Sequence, residues 1–166
     1  HGTYEVFLRD IYQQGFSLDK ASDIDSLVED EMKAEMATCY AFPTMIKLMQ
    51  EAKKFGLKII IVSNTYLSKE QLSRLLKHAL PADAMQAIDE IFCSSEFGDS
   101  KNGQLFQMVL NQLNLPANAF LHIGDNYVAD YDKSKKMGMY GLHLLHLNKA
   151  TTRLLRLQSM SGLFLS

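Results

Sequence analysis

Cysteine is almost absent from this sequence: Cys39 and Cys93 stand far apart, form no Cys-x-x-Cys and have no histidine at ligand spacing. That excludes a disulfide framework and a cysteine-based zinc site, and both are read as ordinary semi-buried thiols. No apolar run approaches the roughly 20 residues needed to cross a bilayer, and the N-terminus lacks the basic, apolar, small-residue order of a signal peptide. Nor is there a block of one charge sign, because 17 basic and 19 acidic residues are dispersed for a formal charge of −2. A chain without a concentrated field has little to attract nucleic acid or anionic lipid. The expectation is a cytoplasmic chain with neither nucleic acid nor membrane as partner.

What is present is apolar residue, 47% of 166, ample for one packed core. The chain opens on His1-Gly2-Thr3 rather than methionine and closes through Ser159-Met160-Ser161-Gly162. It is therefore expected to be a piece of a longer protein, with covalent neighbour domains.

Periodicity divides the chain. Val6, Phe7, Ile11 and Tyr12 predict a helix from Glu5 to about Gln14, stopped by Gly15. A second helix, capped by Asp23 or Ser26, runs to Tyr40, and a third runs from Thr44 to Phe55 with Pro43 at its opening turn and Gly56 at its end. Leu57 to Val62 is a nearly unbroken β-branched run, predicting a strand buried on both faces of a parallel sheet. Beyond it come a helix capped by Ser68 and ending near Ala79, a strand over Glu90 to Ser94, and a helix from Gly103 to Asn114. A strand over Ala119 to Ile123, a helix from Tyr131 to Met137 closed by Gly138, and a strand from Tyr140 to Leu147 complete the order. Strands alternating with helices indicate an α/β, Rossmann-like parallel sheet with helices on both faces. In such a sheet ligands bind beyond the carboxyl ends of the strands.

Three strand ends carry polar residues there. Ser63 follows the most apolar strand, so its hydroxyl and the amides of Asn64 and Thr65 are placed for an anion, although Ser-Asn-Thr also makes an ordinary capped turn. Lys101, in the loop before a helix, is placed to neutralise a phosphate. Asp125 ends the third predicted strand and Asp130 follows five residues later around a turn. Two carboxylates there suit Mg²⁺, which keeps several waters and is completed by substrate phosphate. Gly-Asp-Asn is also a common turn.

Taken together, Ile60-Ile61-Val62-Ser63-Asn64-Thr65, Ser100-Lys101-Asn102-Gly103 and His122-Ile123-Gly124-Asp125-Asn126 with Asp130 resemble the second, third and fourth motifs of the haloacid dehalogenase-like superfamily. The resemblance spans roughly Pro43 to Leu147, making 43–166 the α/β core and 1–42 a helical, cap-like segment. It implies that Ser63 hydrogen-bonds a transferring phosphoryl group, with Asn64 beside it, and that Lys101 stabilises its charge. It further implies that Asp125 holds Mg²⁺, with Asp130 as a second acidic ligand or an orienting residue, and that the substrate is a small phosphorylated molecule. Asn64 stands where many relatives have Asp.

The family's first motif, a strand ending in Asp-x-Asp that supplies the nucleophile, has no counterpart here, so the first strand is missing. Asp23-Ile24-Asp25 follows a polar stretch and is read as a capping sequence. An Mg²⁺-dependent phosphohydrolase, inactive without that motif, is the leading expectation. A non-catalytic scaffold or binding module of a larger protein, for example a glycosyl-transfer enzyme, is the second, and a receiver-like domain the third. His122, His143 and His146 cluster near strand ends, but His122 and His143 lie within apolar strand patterns, where a satisfied core or semi-buried histidine is more common than a ligand, and a metal role is not assigned to the three.

Overall fold

The computed structural model describes residues 8–16 and 21–144, with side chains described for 8–15 and 23–144. The chain divides into two compact units, His1–Ser100 and Lys101–Ser166. Each holds a two-stranded parallel sheet, so the predicted α/β class is observed.

In the first unit the helices are α1 (Leu8–Phe16), α2 (Ala21–Thr38), α3 (Pro43–Lys54), α4 (Lys69–Ala79), α5 (Ala82–Ala87) and α6 (Ser94–Phe97), with strands β1 (Ile59–Ser63) and β2 (Ile88–Cys93). The N-terminal part of the predicted first helix lies outside the described residues. α1 passes through Gly15, which does not stop it. α2 already begins at Ala21, so Asp23 and Ser26 are helical residues rather than caps. Gly56 does close α3, with φ of 74°, a conformation costly for residues with a Cβ. α5, built on Ala82, Ala84 and Ala87 after Pro81, is an element the sequence reading omits.

β1 and β2 run in register from Ile60 opposite Glu90 to Ser63 opposite Cys93. Asp89 is the extra residue where the register shifts, and its Oδ2 takes the Ile59 amide at 2.8 Å while Lys53 pairs with the same carboxylate. The bulge thus keeps the displaced amide satisfied. β1 was expected to be buried on both faces; it is half-buried throughout, pairing with β2 alone among the described residues. No described strand precedes it.

Leu8, Met32, Leu67, Leu72, Leu75, Ile91 and Cys93 form one buried cluster, so α1 and α2 share their core with β1, α4 and β2. Each such aliphatic side chain contributes on the order of 1.5–3 kcal/mol by leaving water. Arg74 clamps α4 to α2 through both oxygens of Glu29. Cys93 belongs to this core, and burial pushes its thiol up to about 11, as for an inert structural cysteine. Cys39, expected half-buried, is exposed.

α4 opens with a reciprocal capping box: Ser68 Oγ accepts the Gln71 amide at 3.2 Å and Gln71 Oε1 accepts the Ser68 amide at 2.9 Å. Ser68→Ala is expected to cost about 1 kcal/mol, lowering the melting temperature by roughly 2–4 °C. Thermal denaturation followed by circular dichroism measures it, and an unchanged melting temperature would show that the cap is redundant.

The second unit contains α7 (Leu105–Leu113), a 3₁₀ turn (Ala117–Ala119), β3 (Leu121–Gly124), a π-helical segment (Tyr127–Asp132), α8 (Lys133–Lys136) and β4 (Tyr140–His143). β3 and β4 pair in parallel, from Leu121 opposite Tyr140 to Gly124 opposite His143. Leu105, Phe106, Val109 and Leu110 bury the inner face of α7. The predicted last helix starts four residues earlier than expected, at Tyr127, because the Asn126 side chain accepts from the Val128 and Ala129 amides and caps it. The predicted extension of β4 to Leu147, and His146, lie outside the described residues. Among the described residues no helix is long and apolar enough to cross a membrane.

Candidate functional site

In the first unit, Ser63 ends β1 and the chain turns through Asn64, Thr65 and Tyr66 before the Ser68 cap. The Thr65 amide, expected to face an anion, instead donates to Ser94 Oγ at 2.9 Å, and Ser94 Oγ donates back to the Thr65 carbonyl at 3.0 Å. Buried Ser95 donates to the Leu67 carbonyl at 2.7 Å. Two serines after β2 therefore lock the turn after β1, a role no local pattern signals because the partners are about 29 residues apart. The Ser63 hydroxyl makes no hydrogen bond among the described residues, while Asn64 is exposed.

In the second unit, Lys101, His122 and Asp130 meet. Lys101 Nζ lies 2.5 Å and His122 Nε2 3.0 Å from Asp130 Oδ1, and the Asn126 amide donates to Asp130 Oδ2 at 3.0 Å. The side chains of Lys101 and Asp130 are 13% and 3% exposed. A buried carboxylate survives ionised only if charge and hydrogen bonds replace water. Burial alone would raise the Asp130 pKa, but the hydrogen bonds from Lys101, His122 and the Asn126 amide outweigh it and hold the carboxyl below its usual range. Burial lowers the His122 pKa, against the pull of Asp130, so the ring is neutral at physiological pH.

The arrangement is possible because residue 124 has no side chain. A Cβ there would lie 2.2 Å from Asp130 Oδ2 and 2.3 Å from its Cγ. The π-helical segment brings Asp130 back over the strand end, with its amide donating to the Asn126 carbonyl at 2.8 Å. Such segments recur at functional sites.

Asp125 differs from Asp130. It is exposed, its carboxylate has no partner among the described residues, and its carbonyl accepts from His143 Nε2 at 2.9 Å. Among the described residues no three His, Cys, Asp or Glu groups gather as a metal cage. A hard cation held by one carboxylate, waters and substrate oxygens needs no such cage, and the open Asp125 fits that mode. Asp130, with three donors already on it, fits an orienting role better than direct ligation.

Asp23 and Asp25 project from α2, with Asp25 paired to Arg9. A further Asp-x-Asp that sequence reasoning missed, Asp130-Tyr131-Asp132, lies in the π-helical segment, where Asp132 pairs with Lys136 at 2.6 Å. Neither ends a strand. His122 was read as a satisfied half-buried histidine, which it is, but its membership of the Lys101–Asp130 cluster went unseen. The available signal was register: His122 and Gly124 share one face of β3, so a polar side chain there points the same way as the turn.

Residues 3–142 match the haloacid dehalogenase-like hydrolase family model. No curated protein matches significantly. Among solved structures, a haloacid dehalogenase-like phosphatase from Thermococcus onnurineus is similar at a TM-score of 0.63 and 18% identity, covering 84% of this chain and 60% of that one. A dehalogenase is similar at 0.61 and 17%, covering 82% and 57%. A haloacid dehalogenase-like family hydrolase from Xanthomonas campestris is similar at 0.57 and 15%, covering 93% and 68%. The chain thus spans less than two thirds of the length of the first two, and at these identities the likeness shows the fold alone. With the family model covering most of the sequence, the chain belongs to the haloacid dehalogenase-like hydrolases.

Proposed function

We infer that this chain forms the phosphate- and metal-binding part of an Mg²⁺-dependent phosphohydrolase acting on a small phosphorylated substrate. The observation that carries this is the buried Lys101–Asp130 pair set against the Gly124-Asp125-Asn126 turn. Phosphoryl transfer depends on placing charge where negative oxygens develop, and a lysine fixed by a buried carboxylate does so without reorganisation. In this reading Lys101 neutralises phosphoryl charge, Ser63 donates its hydroxyl to a phosphoryl oxygen, and Asn64 lines the same turn. Asp125 would hold Mg²⁺, which when bound polarises the phosphoryl group, and Asp130 orients Lys101. Residues 1–42 act as a cap over a core of 43–166, and the protein works in the cytoplasm.

Turnover needs a nucleophilic aspartate at a strand end, which no described strand supplies. The reading therefore includes an upstream apolar strand ending in Asp-x-Asp within the whole protein, joined to neighbouring domains. A protein extended upstream of His1 is expected to hydrolyse phosphorylated sugars or nucleotides, and Asp125→Asn to lower its kcat by roughly 10²–10³-fold. The helical positions of both Asp-x-Asp sequences favour one alternative, a non-catalytic binding or scaffold module. That alternative stands if the upstream segment has no such strand and Asp125→Asn leaves the host protein's activity intact.

A further inference from the structure

Asp130 Oδ1 takes two donors, and the chemistry above uses only one of them. Lys101 approaches from the loop before α7 and His122 from β3, at 2.5 and 3.0 Å, while Oδ2 is held by the Asn126 amide. The His122 ring is itself held, edge-on to Phe106 of α7 with centroids 4.7 Å apart, and Phe106 is buried. Its side chain is 14% exposed, so solvent does little to orient it. A carboxylate fixed at Oδ2 alone could still turn about its Cβ–Cγ bond, carrying Lys101 with it. The imidazole removes that freedom on the oxygen the lysine uses.

We propose that His122 is a positioning residue, donating Nε2–H to Asp130 Oδ1 so that Lys101 Nζ is held in one place at the end of β3. The consequence for turnover rests on the phosphohydrolase reading, whereas the contact itself does not. A neutral ring that donates through Nε2 adds no second positive charge beside Lys101, so the lysine remains the charge offered to an anion. Donors behind a site's charged residues commonly change its performance by about 10–100-fold when removed.

Two measurements decide it. In ¹H–¹⁵N spectra of the full 166-residue chain, His122 is expected in the Nε2–H tautomer with a slowly exchanging ring proton that is lost in Asp130→Ala. An Nδ1–H tautomer, or a ring proton indifferent to Asp130→Ala, overturns the proposal. In the upstream-extended protein, His122→Leu is expected to lower kcat for p-nitrophenyl phosphate by about 10–100-fold with KM changed less than about threefold. His122→Gln, which restores an N–H donor, is expected to recover most of that loss. Equal losses in both variants would make His122 a packing residue and overturn the proposal. If the wild-type protein turns over no phosphate ester, the phosphohydrolase reading fails and the ring proton alone decides the role of His122.

Discussion

Gly124→Ala is expected to destabilise the second unit by about 3 kcal/mol or more, the combined scale of a steric insertion and a disturbed buried ion pair. The added methyl would sit 2.2 Å from Asp130 Oδ2, well inside van der Waals contact. Either β3 shifts or Asp130 leaves, and if it leaves, Lys101, His122 and the Asn126 amide lose their common acceptor. Thermal unfolding is expected to move down by roughly 6–12 °C, with amide exchange accelerating in β3 and the π-helical segment. The decisive comparison is Gly124→Ala with Asp130→Ala. Removing the carboxylate takes away the two closest contacts and leaves only the Asp130 Cβ, 2.6 Å from the added methyl, so the double variant is expected to be more stable than the sum of the single costs. Strict additivity would mean that the two positions do not compete for space.

The second large effect is Lys101→Met. With side chains 13% and 3% exposed, Lys101 and Asp130 make a pair largely shielded from solvent. Removing one partner of such a pair costs about 3–5 kcal/mol, because the other charge stays buried uncompensated. That cost depends on pH in a direction the structure fixes. In the native chain Asp130 has a lowered pKa, so its contribution is present above the unfolded value near 3.9 and is lost as acidification passes the folded value. In Lys101→Met the largest compensating donor is gone, so burial weighs more and the carboxyl is expected to titrate higher than in the native chain. The variant therefore loses less stability on protonation. Denaturant midpoints of the two proteins are therefore expected to lie far apart at neutral pH and to converge toward pH ~4. A gap that stays constant would exclude Asp130 as the partner. His122 adds an earlier, shallower decline: its lowered pKa means the folded chain binds its proton later than the unfolded chain, so stability erodes once pH falls below about 6.5.

Much of the α/β order was legible because its signals are local. The run ending at Ser63 is β-branched, Pro43 opens α3 and Gly56 closes it, and Ser68 with Gln71 spells a capping box. Errors fell where a local signal had a stronger competitor. Gly15 has a glycine's freedom to stop a helix, but α1 continues through it. Asp23 and Ser26 are good caps on composition, yet α2 begins before both. Asn126 caps a π-helical segment from Tyr127, ahead of the helix expected from Tyr131. The Thr65 amide looked available to an anion until Ser94, distant in sequence, accepted it.

By itself the sequence determined the class of fold, the strand ends where polar residues fall, and a family resemblance carried by the residues around Ser63, Lys101 and Asp125, because periodicity, glycine placement and residue spacing are properties of neighbouring positions. Only the tertiary structure decided which of those residues are engaged with one another. Lys101 and His122, 29 and eight positions from Asp130, share one oxygen of it, while Asp125 faces solvent. The physical reason is that a buried carboxylate must recruit every donor within reach, and which donors are within reach is fixed by the packing of α7, β3 and the π-helical segment, not by distance along the chain.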